Sequence, residues 1–395
     1  MKLTQEHYYN TTTKFLLKAL GIWHHDKSRF VFLQRVMVLL ILVPFACMQF
    51  SVFFIENYTI TVLIRAIAVA CPCILMIMMY IIFVFKSDVM LNIHKRIEED
   101  WMLMRDNMEH DIIQENAHSV HFYLSLTFSF TCFVLATLIV LQFLPIILDV
   151  ILPLDKPRQF SLVAMESLAS QNKYFYTVLM HEIVFAVVFA AVTFSTSMQL
   201  VVLFSHSFGM FKIARHRIRY LIEDSMSQHV SNFEHERVIS AKIKYAVKAH
   251  RRALEFSNIV ISSINAPYCV IAILGMLSLS INLFGLVEAI TVSKINQNAV
   301  FFLITVTGQL VYLFAAMLVG QRITDCNDEV FNGTYSISWY LMPVSSQKLL
   351  VFLLQKSGKE FCITIGFLIV AKIENFAAFI NASLSYVAVM YSCAH

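Results

Sequence analysis

The stretch FYLSLTFSFTCFVLATLIVLQFLPIIL, residues 122–148, contains no Asp, Glu, Lys or Arg. A charge-free apolar run of this length crosses a bilayer as one helix, because about 20 residues at 1.5 Å each cover the roughly 30 Å hydrocarbon core. A helix satisfies its own backbone polar groups there, where water is absent. Working outward, comparable runs lie at roughly 32–55, 60–85, 178–206, 259–285, 299–320 and 362–392, which makes seven spans. The composition agrees: 58% of residues are hydrophobic and only 14% charged, against about 25% charged in a soluble domain. Mean hydropathy is +0.68, and 34 Phe stand beside only 9 Gly. The expected fold class is an all-α integral membrane protein with seven transmembrane helices and no separate soluble domain between them.

The opening residues, MKLTQEHYYNTTTKFLLKALGIWHHDKSRF (1–30), are polar and mixed in charge. They lack an apolar core followed by a small-residue cleavage site, so the first span is expected to act as its own insertion signal. The chain shows no internal repeat and no low-complexity stretch, and inverted halves of the transporter kind are not visible.

Lys and Arg counts in the connections set the orientation. The segment before the first span holds five, the loop 86–121 four, the loop 207–258 ten and the stretch 321–360 four. Residues 56–59 hold none, 149–177 three, 286–298 one and the C-terminal end none, a tally of 23 against 4. The N-terminus is therefore expected in the cytoplasm and the C-terminus outside. This inverts the arrangement of a G-protein-coupled receptor. In agreement, no Asp-Arg-Tyr follows the third span and no Asn-Pro-x-x-Tyr lies in the seventh. The second outer loop has no cysteine. All eight cysteines (Cys47, Cys71, Cys73, Cys132, Cys269, Cys326, Cys362, Cys393) fall in spans, at their ends or in cytoplasmic segments, and read as free thiols packed as small hydrophobes.

The cytoplasmic segments look structured. Residues 91–119, with Ile97, Trp101 and Met104 at helical spacing, read as the third helix continuing below the membrane, and residues 211–260 extend the fourth and fifth. These are either solvated amphipathic extensions or a subunit-contact domain beneath the membrane, and their basic residues suit an anionic leaflet.

Catalytic and metal chemistry finds little support. The Cys-Pro-Cys of ACPCIL (70–75) resembles that of copper pumps, but no large cytoplasmic ATPase domain accompanies it and no Gly-x-x-x-x-Gly-Lys-Ser/Thr loop occurs. Cysteines around a proline kink are the expected reading. His229, His235, Glu234 and Glu236 read as a solvated charge cluster rather than metal ligands. No nucleophile–base pair stands at a recognisable spacing, so an enzyme is not expected. Neither a cofactor nor nucleic-acid binding is expected. Of the sequons at Asn10, Asn57, Asn332 and Asn381, only Asn57 falls in an outer loop.

The chain ends ASLSYVAVMYSCAH, residues 382–395, with polar side chains on the last turns of an apolar helix. At about 100° per residue, Glu374, Ala378, Asn381, Val389 and Ser392 fall within about 40° of Ser385. Lys372 and Ser383 lie off this stripe. Polar groups facing lipid are costly, so the stripe faces either a seam of small polar residues between helices or a pore.

Residues 320–343, GQRITDCNDEVFNGTYSISWYLMP, and 347–392, QKLLVFLLQKSGKEFCITIGFLIVAKIENFAAFINASLSYVAVMYS, resemble the C-terminal signature of insect odorant receptors. Its marks here are Gly320, Tyr335, Trp339, Phe376, Ser385 and Tyr386, and AHRRALEFSNIV (249–260) is similar to the family's entry to helix 5. The resemblance implies an odorant-gated, poorly selective cation channel of four subunits in the plasma membrane of an olfactory neuron dendrite, its pore formed by the final helices. It implies a bundle over 1–320 and a pore unit over 321–395. The latter carries a short cytoplasmic helix at about 335–356, with Tyr335 and Trp339 at subunit contacts. Ser385 would line the pore, Val389 would stand at its hydrophobic gate, and Ser392 and Cys393 would lie at its outer end. The loop 207–258 lacks the insertion of the common co-receptor, so a tuned subunit partnered by that co-receptor is implied.

In such a family the ligand, a small volatile molecule, sits in the outer half of the bundle. By depth this names Ile64, Ala68 and Cys71 in helix 2, Phe133, Thr137 and Val140 in helix 3, His181, Phe185 and Phe189 in helix 4, and Phe302, Thr305 and Val306 in helix 6. Apolar contact would supply affinity and one hydrogen bond orientation. Rival readings are a self-sufficient homotetramer, a transporter with saturable flux, and a G-protein-independent seven-helix receptor.

Overall fold

The computed structural model describes residues 11–23, 28–50, 60–104, 106–151, 175–225, 232–292, 297–366 and 369–394. Asn57, His229 and the side chains of Glu234 and His235 lie outside the described residues. In chain order the helices are α1 (Thr11–Ala19), α2 (Arg29–Gln49), α3 (Ile60–Phe85), α4 (Ser87–Met102), α5 (Asn107–Ile151), α6 (Phe175–Ser225), α7 (Asn232–Val292), α8 (Gln297–Tyr335), α9 (Val344–Ser357) and α10 (Ile373–Ala394). A 3₁₀ turn at Trp339–Leu341 precedes α9. A two-stranded antiparallel hairpin, β1 (Thr364–Ile365) and β2 (Ile369–Val370), precedes α10, with Thr364 opposite Val370 and Ile365 opposite Ile369.

Among the described residues, seven helices are long and apolar enough to cross a membrane: α2, α3, α5, α6, α7, α8 and α10. Their order matches the seven runs read from the sequence. With 61 residues, α7 extends roughly 90 Å at 1.5 Å per residue, about three times the hydrocarbon thickness. It packs against α6, α3, α8, α9 and α10 and serves as the mast of the bundle. The helical continuation expected over 211–260 is present in α6 and α7.

Three boundaries differ from the sequence reading. Residues 91–119 are not one helix: α4 ends at Met102 and α5 starts at Asn107, so the first half follows the second span rather than preceding the third. The last helix starts at Ile373, because Gly366 turns the chain with φ +60° and Thr364–Ile365 pair with Ile369–Val370. Finally, the N-terminal segment contributes structure. Leu17, Leu20, Ile22 and Trp23 are buried, Tyr80 donates to the Leu20 carbonyl at 2.8 Å, and Arg35 donates to that of Gly21 at 2.9 Å.

The end of the bundle carrying α1, α4 and α9, here the basal end, holds many of the largest buried side chains. Tyr80, Phe83, Phe211, Phe256, Ile93, Ile97 and Ile113 are all wholly buried there. It also holds the charges. Asp100 accepts from Arg252 Nε at 2.7 Å and meets His206 Nε2 at 3.2 Å. Burial pushes the Asp100 carboxyl up, but His206 and Arg252 outweigh this and hold it below its ordinary value. Arg217 grips Glu109 through Nε at 2.6 Å and a terminal nitrogen at 2.9 Å. The opposite end holds two small clusters, one of Ala68, Ala289, Ala299 and Phe302, the other of Leu279, Val306 and Phe379.

Two prolines explain two otherwise odd polar residues. A helical proline leaves the carbonyl four residues earlier without its ladder donor, a deficit that hydrocarbon cannot relieve. Pro72 in α3 frees the carbonyl of Ala68, and Asn282 of α7, wholly buried, donates to it at 3.2 Å. Pro267 in α7 frees that of Ser263, and Lys86 donates to it at 2.6 Å. Asn282→Leu should therefore cost about 1–3 kcal/mol, read as a lower melting temperature in detergent. Adding Pro72→Ala should recover most of the loss, since the ladder bond returns. No recovery would mean that Asn282 acts through something other than this carbonyl.

Candidate ligand site and pore helix

The twelve residues assigned to a ligand site from depth fall into three sets. Ala68 and Phe302 are brought together at the α3–α8 contact, both buried. The Phe302 ring lies across Gly285, where an added Cβ would meet it at 2.6 Å. Val306, one turn along α8, packs instead on Leu279 and on Phe379 of α10, so one face of α8 links the upper bundle to the last helix. Thr305 is half-buried and its hydroxyl donates to the Phe301 carbonyl at 3.0 Å.

A second set sits on α6. Phe185 is buried and stacks on Phe45 of α2, ring centroids 3.6 Å apart at 12°. Phe189 leans against Phe185 at 5.7 Å, and the His181 ring lies 6.0 Å from Phe45. Ile64 and Cys71 are half-buried on α3. The third set is not brought to either group: Phe133 and Val140 are 69% and 59% exposed, on a face of α5 that turns away from the packed interior. The Thr137 hydroxyl, between them, donates to Phe133's carbonyl at 2.8 Å.

Four residues in this region escaped the sequence reading: Phe45, Gln49, Gln142 and Glu182. Gln142 of α5 donates to the Glu182 carboxylate of α6, and both are buried. The signal was available, because Gln49, Gln142 and Glu182 each interrupt a span a few residues from the same end. Depth alone, however, does not say which faces meet.

The last helix is two-faced. Phe379, Ser383 and Val387, spaced four apart, are buried against the bundle, and the Ser383 hydroxyl donates to the Phe379 carbonyl at 3.1 Å. Glu374, Ala378, Asn381, Ser385, Val389 and Ser392 are all exposed, as is Cys393. Ser385 donates back to the Asn381 carbonyl at 2.9 Å. At the basal end, Tyr335 closes α8 and Trp339 opens the 3₁₀ turn. These two with Tyr340, Leu341, Val344, Val351 and Phe352 form an exposed apolar surface, each at least 41% exposed. All eight cysteines are free, and no group of metal-ligating side chains occurs among the described residues.

A family model described as 7tm Odorant receptor matches residues 59–384. Among solved structures, the insect olfactory receptor OR5 from Machilis hrabei in complex with eugenol superposes with a TM-score of 0.75 at 12% identity, over 97% of this chain and 98% of that one. The same receptor in a second structure gives 0.69 at 11% identity, over 96% of each chain. At such identities the likeness establishes the fold. No curated protein sequence matches the chain. The family model covers most of the chain and the fold agrees over nearly all of it: this multi-pass membrane protein, a receptor rather than an enzyme, belongs to the 7tm odorant receptor family.

Proposed function

We propose that the chain is a tuned subunit of an odorant-gated, non-selective cation channel. The bundle (1–320) binds the odorant and the pore unit (321–395) conducts, in a tetramer with a common co-receptor in an olfactory neuron's dendritic membrane. The observation that carries this reading is the two-faced last helix. Glu374, Asn381, Ser385 and Ser392 share one exposed face, and polar groups of this kind are too costly to leave against lipid. A water-filled axis shared by several copies of α10 accommodates them, with Val389 closing it by dewetting. The basic residues of the basal end support a cytoplasmic position for it, and the exposed surface around Tyr335 and Trp339 suits contact between subunits.

The eugenol complex of the Machilis receptor supports a small volatile ligand. The two groups centred on Ala68–Phe302 and Phe185–Phe45 are the walls expected to hold it, with Val306 carrying the change to Phe379 and so to α10. A ligand opens such a pore only as far as it binds the open arrangement better than the closed one.

The test is current recorded in cells that express the chain with and without the co-receptor, against a panel of odorants. Evoked cation current only in the presence of the co-receptor is expected. Current from this chain alone would make it a self-sufficient channel. No current with proven surface expression would remove the channel reading. Val389→Ala, which shortens the side chain at the proposed hydrophobic gate, should raise basal current severalfold. Unchanged basal and evoked currents would refute the gate.

A further inference from the structure

Glu182 stands out among the groups this reading leaves unused. Its residue is 6% exposed and lies near one end of a membrane span. Gln142 donates to one carboxylate oxygen, Oε2. The other, Oε1, has no hydrogen-bond partner among the described residues. Two more acceptor-capable atoms nearby share that state: Gln49 Oε1 and His181 Nδ1. Gln49 is wholly buried and its Nε2 is turned back onto the Phe45 carbonyl at 3.4 Å.

These groups lie at one level of the bundle. Phe45 touches His181 and Phe185, which sets the register between α2 and α6. Gln49, one turn beyond Phe45, then lies level with His181 and Glu182. Glu182, Phe185 and Phe189 follow at the i, i+3, i+7 spacing of one helix face. The result is an aromatic floor of Phe45, Phe185 and Phe189 beneath a polar rim that is rich in acceptors and poor in donors.

A buried carboxyl group inside a membrane is costly to ionise and is kept where it has a partner to meet. Once ionised, the carboxylate needs an N–H or O–H donor, and the molecule that supplies it must be small enough to lie against the aromatic rings. A primary amine does both and also cancels the charge. We infer that Glu182, fixed by Gln142 and flanked by Gln49 and His181, is the polar anchor for a small organic amine resting on Phe45 and Phe185. The proton balance is closed: the protonated Glu182 carboxyl gives its proton to the neutral amine nitrogen, leaving a carboxylate paired with an ammonium. This rests on the odorant-receptor reading and names the ligand class for the site.

The experiment measures binding rather than current, so the two readings fail separately. The full chain, purified in lipid nanodiscs, is melted with hexylamine or 1-hexanol, which share a carbon skeleton. Hexylamine is expected to raise the melting temperature more than hexanol, and Glu182→Gln is expected to weaken hexylamine about tenfold or more while changing hexanol far less, since only the amine forms a charge pair. Equal effects of the two probes, or full hexylamine binding by Glu182→Gln, would overturn the inference. If that variant fails to fold, infrared difference spectra of the unaltered chain decide. Hexylamine should convert a protonated carboxyl band to a carboxylate band, and no conversion would overturn the assignment. Amine binding with no evoked current from any odorant would sink the channel reading instead and leave the site standing.

Discussion

Gly320→Val is expected to remove almost all folded, surface-expressed protein. A Cβ at Gly320 would lie 2.1 Å from the Ala371 carbonyl oxygen, 2.4 Å from its Cβ and 2.8 Å from its carbonyl carbon. Backbone atoms cannot rotate out of the way, and Ala371 is itself held by a hydrogen bond from its N–H to the Ile363 carbonyl at 2.9 Å. The helix α8 and the entry to α10 meet at this point, so the clash would displace α10 from the bundle. The cost should exceed the roughly 1–3 kcal/mol of ordinary overpacking. Surface biotinylation and size-exclusion profiles would report it. Gly275→Ala and Gly308→Ala, where nothing lies within 4 Å of the added carbon, should express normally. A Gly320→Val protein that reaches the surface and melts like its parent would show that α10 does not need this close approach.

The second large effect is expected from Arg217→Met. The Glu109 side chain is 3% exposed and Arg217 supplies both of the donors described above. The guanidinium also lies 3.6 Å above the Tyr245 ring and donates to that residue's carbonyl at 3.4 Å. One side chain thereby ties α5, α6 and α7 together at the basal end. Removing it leaves a buried carboxylate uncompensated, which typically costs about 3–5 kcal/mol. The double variant Glu109→Gln with Arg217→Met should recover much of that loss, because no charge is stranded. Melting temperatures of the four proteins of this cycle give the coupling directly. A double variant no better than Arg217→Met alone would mean that the contact with Tyr245, not the ion pair, carries the stability.

Much of the architecture was legible because hydrocarbon imposes a one-dimensional rule. A segment rich in charge does not cross and a long apolar one with at most a charge or two does, so the seven spans and their order could be counted from residues 32–392. The two faces of α10 were legible for a related reason. Along a single helix, the angular position of Ser385 relative to Val389 or Phe379 follows from their separation in sequence. The division of polar and apolar side chains around α10 can therefore be drawn without knowing its neighbours.

What the sequence alone determined is thus the number of spans, the charge asymmetry of their connections and the polar stripe on the last helix. These are properties of single segments. Which segments meet, and at what height, was decided only in three dimensions. Asn282 looked like an isolated polar residue until the structure set it against the carbonyl that Pro72 leaves open. Phe133 and Val140 lie at the same depth as the enclosed residues, yet they belong to an outward face. Glu182 and Gln142 stand 40 residues apart and find one another through the packing of α5 on α6. The physical reason is that hydrophobicity fixes the depth of a helix in the bilayer, whereas its rotation and register depend on side-chain fit against neighbours that composition does not name.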